Sequence, residues 1–175
     1  MEKLFHFDSS VEPYVADAVV LCCFDHRISL ATRKFLKRRG ILFPDMVVVA
    51  GGARTLATPR NDFERDFLLE QFRMSILLHQ APRVILMSHS DCATYGGLAQ
   101  FQGDRKAEAE YHHKELVLAA DLVRSTFPKV EVDCCFVNFE GVWKEDTAWQ
   151  NATYSFSSRQ HRMNSTMTPN GRSGS

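Results

Sequence analysis

The sequence lacks the features that would draw it to a polyanion or a lipid bilayer. Its 21 Lys and Arg are matched by 21 Asp and Glu, for a formal net charge of +0, so no global field favours nucleic acid or an anionic membrane. The one basic stretch, Arg33 to Arg39, is more simply the solvated face of a helix. No apolar run approaches the roughly 20 residues that a membrane-spanning helix needs. Met1 to Asp8 carries charges and no signal-peptide core, so the expected location is cytoplasmic. The phosphate-cradling patterns Gly-x-x-x-x-Gly-Lys and Gly-x-Gly-x-x-Gly are absent. So are a Cys-x-x-Cys redox pair and a Cys-x5-Arg nucleophile motif.

What is present is an ordinary globular composition: 175 residues, 45% hydrophobic and 24% charged, enough for one domain with a single core. Residues 1–154 are expected to form that domain. From residue 155 to 175 the chain turns to Ser, Asn, Thr, Arg and Gly and is expected to be a disordered tail. The 5 cysteines, with two adjacent pairs, make a poor disulfide framework, because neighbours in a strand point to opposite faces. Cys22, Cys134 and Cys135 read as buried small hydrophobes.

Three apolar runs read as strands buried on both faces: Ala16 to Cys23, which is rich in valine, Asp45 to Ala50 and Arg83 to Ser88. A fourth strand is expected over Val130 to Val137. Between them lie helical patterns. One spans Ser29 to Arg39, with Gly40 as its stop signal. A second runs from Asn61 or Asp62 to His79, with Phe63, Phe67, Leu68, Phe72, Ile76 and Leu77 as its apolar stripe. A third covers Asp104 to Thr126. The alternation predicts a three-layer α/β fold, a mostly parallel β-sheet flanked by helices.

The chemistry gathers where strands end. The first strand runs into Cys23-Phe24-Asp25-His26-Arg27, the third into His89-Ser90-Asp91-Cys92. In an open parallel sheet the carboxyl ends of the strands form the binding edge. The second strand ends there too, at Gly51-Gly52, where missing side chains let backbone amides approach a bound group. Thiolate and imidazole are the ligands zinc prefers, and three of them leave a fourth position open. Cys23, His89 and Cys92 are therefore the candidate zinc ligands. Asp25 and Arg27 flank Cys23 at alternate positions, so on an extended backbone they would share one side. Three readings of the pair stand open: a structural ion pair, an ionised acceptor held by Arg27 beside the metal, or an aspartate that itself fills the fourth position.

At these residues the sequence resembles the β-class carbonic anhydrases, whose motifs are Cys-x-Asp-x-Arg, a loop rich in Ala and Gly, and His-x-x-Cys. The resemblance covers roughly Asp17 to Gly97. It implies zinc on Cys23, His89 and Cys92, Asp25 and Arg27 as a catalytic dyad, and a substrate position lined by Gly51 and Gly52. It also implies hydration of carbon dioxide to bicarbonate by a zinc-bound hydroxide, and assembly as a homodimer or larger homo-oligomer. Two neighbouring readings share the site: hydrolysis of carbonyl sulfide or carbon disulfide, and a zinc domain that binds an anion without turnover. The sequence departs from the family pattern at Val49 to Arg54, where Arg-Asn-Ala-Gly-Asn is usual, and at Ala93, where glycine is usual. His26, His112 and His113 are candidates for moving a proton to solvent only because histidine titrates near neutrality.

Overall fold

The computed structural model describes residues 2–146. The expected tail and the last residues assigned to the domain lie outside them. Five strands form one sheet in the order β2-β1-β3-β4-β5: β1 (Ala18–Cys23), β2 (Pro44–Val49), β3 (Arg83–His89), β4 (Glu131–Val137) and β5 (Val142–Glu145). The first four run parallel, and β5 returns antiparallel along β4. The fold is the expected mostly parallel α/β sheet flanked by helices.

Alternation within each strand builds two cores. Val19 and Leu21 of β1, with Val84 and Leu86 of β3, pack under α2 (Arg54–Ala57), α3 (Asp62–Leu78) and α4 (Arg105–Thr126). Ala18, Val20 and Cys22 of β1, with Ile85 and Met87 of β3, face Ile28 and Leu36 of α1 (His26–Arg38). Both central strands are thus covered on each face, which is why their sequences read as unbroken apolar runs. The α1 stop follows from its chemistry: Gly40 sits at φ +76°, its N–H reaches the Lys37 carbonyl, and the Ile41 N–H reaches that of Leu36. That pair of bonds is the Schellman closure glycine permits.

Four expectations need correction. The helix α1 begins at His26 rather than Ser29, because the side chain of Asp25 caps it, accepting from the Arg27 N–H at 2.9 Å. The strand β2 is not buried on both faces. It is the sheet edge, and Met46 and Val48 on the α1 side stay 40% and 49% exposed. The α3 stripe splits: Leu68 and Phe72 are buried, whereas Phe63, Phe67 and Leu77 point outward. Finally, β5 is a strand that no periodic pattern announced.

Candidate metal centre

The order of the strands explains where the site lies. From β1 the chain moves to one side to make β2, then crosses back to make β3 on the other side of β1. Loops leaving the carboxyl ends of β1 and β3 therefore part from each other, opening the crevice in which such sheets bind ligands. Cys23 is the last residue of β1 and His89 the last of β3. Cys92 follows in the turn that leads to a short 3-10 helix at Ala93–Tyr95. One donor atom from each of the three lies within 4.8 Å of the others, and all three residues are buried. The two sulfurs are 4.0 Å apart.

The donor set fits zinc on the structure's own terms. His89 Nδ1 lies 2.9 Å from the Ser90 carbonyl oxygen, which can only accept, so Nδ1 carries the proton and Nε2 presents its lone pair. That Nε2 is buried and has no hydrogen-bond partner among the described residues. An orphaned imidazole nitrogen facing two thiols is costly unless something electrophilic meets it. The second bond on Nδ1 is also the device that orients a metal-binding histidine.

The electrostatics favour a first thiolate. The Cys92 thiol beside Cys23 lowers the Cys23 pKa to about 4, overcoming burial, with help from His89 and from the backbone N–H groups of Asp25 and Gly51. The same sharing of one proton drives Cys92 well above the ordinary thiol range. Such a pair loses its protons in two separated steps. The Gly51 N–H lies 3.4 Å from Cys23 Sγ. By contrast Cys22 and Cys135, away from the cluster, are pushed up by burial to about 11 and about 12. All five cysteines are buried, in line with the inert reading of three of them.

Asp25 and Arg27 do not share one side of an extended chain. The first is the cap of α1 and the second lies in its first turn, and the pair closes across the helix start. Arg27 Nε reaches both Asp25 oxygens at 3.1 Å, and Nη2 reaches Oδ2 at 2.6 Å. This contact holds the Asp25 carboxyl down to about 2. Asp25 is not among the residues whose donor atoms cluster.

Gly51 and Gly52 both take positive φ, +75° and +55°. Gly51 borders the sulfur of Cys23. Gly52 is wedged beneath it, where a Cβ would come within 3.0 Å of the Cys23 nitrogen. Beside this loop lies a cavity of about 320 Å³ whose walls include Ala50, Arg54, Thr58, Phe67 and Thr94.

The candidate proton carriers separate. His26 is exposed at the start of α1. His113 lies 2.9 Å from Glu145. His112 is fully buried, with neither ring nitrogen partnered, and burial together with the neighbouring His89 depresses its pKa to about 4.

Of the support beneath the site, the sequence pointed only to His112, and there as a proton carrier. Glu108, His112 and Glu115 form a buried polar row on α4. Their spacing of four and three residues put them on one helix face, and that face continues through the buried Leu116 and Ala119. The signal was legible as polar residues on the core stripe of a helix.

The fold is similar to that of carbonic anhydrase from Streptococcus mutans, at 12% identity over 79% of this chain and 88% of that one, with a TM-score of 0.53. Carbonic anhydrase from Glaciozyma antarctica aligns with a TM-score of 0.49, at 14% identity over 75% of this chain and 83% of that one. A β-carbonic anhydrase of Trichomonas vaginalis also gives 0.49, at 12% identity over 79% and 87% of the two chains. Comparison with curated proteins gave no match. Residues 15–146 match the family model described as "Putative carbonic anhydrase", and the chain belongs to that family.

Proposed function

We propose that this protein hydrates carbon dioxide reversibly to bicarbonate, with zinc held by Cys23, His89 and Cys92. The observation that carries the reading is the buried, unpartnered Nε2 of His89 facing two sulfurs, next to an aspartate that its arginine keeps ionised. Zinc in such a site lowers the pKa of water and so supplies a nucleophile at neutral pH.

The chain's own groups then have distinct tasks. Asp25 is already engaged by Arg27 through both oxygens, yet a carboxylate has further lone pairs. One of these accepts the proton of the attacking group and fixes its direction, which is a positional contribution. Because Arg27 holds the charge on Asp25, this acceptor is available down to strongly acidic pH. The Gly51 N–H steadies the Cys23 thiolate, and Gly51 with Gly52 lines the substrate position. His26, exposed and next to Asp25 in the chain, is the candidate to hand a proton to solvent.

Assembly belongs to the same proposal. Leu42, Phe43, Met46, Val48, Phe63 and Phe67 are all exposed, along the β2 edge and the outer face of α3. An uncovered apolar edge of this kind favours pairing with a second copy. The thiols of Cys22, Cys23, Cys92 and Cys135, none of them cross-linked among the described residues, support a reducing, cytoplasmic setting.

The test is stopped-flow carbon dioxide hydration by protein of known zinc content, at neutral and alkaline pH, beside Cys23→Ser. A fast rate at both pH values that disappears together with the metal in the variant supports the proposal. Activity confined to alkaline pH assigns the fourth position to Asp25. Stoichiometric zinc without hydration at either pH sinks it and turns the search to carbonyl sulfide, carbon disulfide or anion binding.

A further inference from the structure

Asp91, between the two ligands of the His-x-x-Cys turn, has an unusual backbone and no idle polar group. Its φ is +53°, in the left-handed region that aspartate tolerates better than most residues but still at a cost. Its N–H donates to Glu108 Oε1 at 2.6 Å. Its Oδ1 accepts the Leu98 N–H at 3.0 Å. Its Oδ2 and its carbonyl oxygen accept Arg27 Nη1 and Nη2, each at 2.8 Å. Gly97 lets the following loop close on this carboxylate: at φ +66°, a Cβ there would stand 2.9 Å from Asp91 Oδ1. Glu108, which holds the Asp91 N–H, is 2% exposed. Strained backbone persists where the surroundings over-determine it, and it gathers at functional positions.

Arg27 is therefore gripped from two strands. Asp25, which follows β1, takes Nε and Nη2. Asp91, which follows β3, takes Nη1 and the other side of Nη2. Asp91 is the sole hydrogen-bond partner of Nη1 among the described residues, and the Arg27 side chain is 45% exposed. Released from Asp91, a long guanidinium stem at the surface regains rotamer freedom, and the Asp25 carboxylate is then held only by that looser side chain and by the Arg27 N–H.

We propose that Asp91 is a positioning residue for the reaction proposed above. It fixes Arg27, and through Arg27 the Asp25 carboxylate, in register with His89 and Cys92, and buried Glu108 anchors its backbone. Its catalytic consequence rests on that reaction, whereas the restraint on Arg27 does not.

Asp91→Asn separates the two duties of the side chain. The amide oxygen still accepts from Leu98, and asparagine tolerates positive φ, but an N–H₂ group now meets Arg27 Nη1. Nitrogen-15 NMR of the Arg27 guanidinium in the metal-free chain reads the restraint, and zinc content and steady-state kinetics read its consequence. The expected result is separate, slowly averaging Nη–H signals in the wild type that merge in Asp91→Asn. Zinc per chain should be unchanged, kcat lower by about tenfold and KM within about twofold. Unchanged Arg27 signals and kcat would overturn the proposal. So would loss of zinc in step with activity, which would make Asp91 only a scaffold for the ligand turn. Should the asparagine variant not fold, Asp91→Gly, which relaxes the backbone, is read by the same criteria. If the wild type hydrates no carbon dioxide, the reaction fails as a reading, and the NMR signals still decide whether Asp91 restrains Arg27.

Discussion

Gly52 lies so close under β3 that a Cβ built on it would stand 2.5 Å from the Met87 carbonyl oxygen. That oxygen is rigid: it belongs to the strand, and it also accepts from the Ala53 N–H. With φ at +55°, Gly52→Ala meets both a backbone clash and an unfavourable conformation. It should cost at least about 2 kcal/mol of stability and misplace Cys23, whose nitrogen is the next nearest atom. Gly51→Ala, also at positive φ, meets Thr94 Cγ2 at 3.0 Å and the Cβ atoms of Arg54 and Thr94 at 3.2 Å, contacts that a shift of a few tenths of an ångström relieves, so its cost should be smaller, about 1–2 kcal/mol. Urea midpoints for the two variants check the ranking, and a larger loss for Gly51→Ala would contradict it.

The central strands, and with them the convergence of Cys23, His89 and Cys92 at their ends, were legible because burial on both faces leaves an unmistakable run, as in Val19 to Cys23 and Val84 to Met87. The helix ends at Asn61, Asp104 and Gly40 were legible because capping is local chemistry. What escaped was set by neighbours in space. Phe63 and Phe67 have the spacing of a core stripe, and the sequence does not distinguish an apolar face turned to the core from one turned outward. Asp25 reads as a metal-site acceptor from its motif, and its contact through Arg27 with Asp91, 64 residues from Arg27 along the chain, comes only with the fold. Glu108 has the spacing of the core stripe of α4, but its partner, the Asp91 N–H, is delivered only by the fold.

Metal removal should weaken the fold, because the ligands converge only in the native state. At zinc a hundredfold above its dissociation constant the gain is about 2.7 kcal/mol, or about 10 °C in melting temperature for a domain of this size. Scanning calorimetry with and without a chelator measures it. His89→Ala removes the Nε2 donor and should melt at one temperature under both conditions. A chelator shift that persists in this variant would show that the ion sits elsewhere.

The bare edge at Val48 makes a prediction about assembly. Val48 is half exposed, so Val48→Lys should change the stability of the single chain by less than about 1 kcal/mol. A lysine on a strand edge opposes pairing. Sedimentation velocity should show the wild type as an assembly and the variant as a monomer. A monomeric wild type, or a variant that still assembles, would remove β2 from the interface.

His112 gives the pH dependence. It is enclosed by Tyr95, Tyr111 and Phe136, near the ring of His89, and both its nitrogens lack partners. Burial holds its folded pKa near 4 against 6.5 for the free side chain. Between those values the unfolded chain binds a proton that the folded chain refuses, so stability must rise with pH across this window and fall on acidification. The difference corresponds to about 3 kcal/mol between pH 7 and pH 4. His112→Phe removes the titrating group without stranding a hydrogen-bond partner, since it has none among the described residues, and should stay within about 1 kcal/mol of the wild type at pH 7. Denaturant unfolding from pH 7 to pH 4 should then show a shallower acid slope in the variant. Equal slopes in the two proteins would mean that His112 takes up its proton in the folded state, and that the pocket around it admits water.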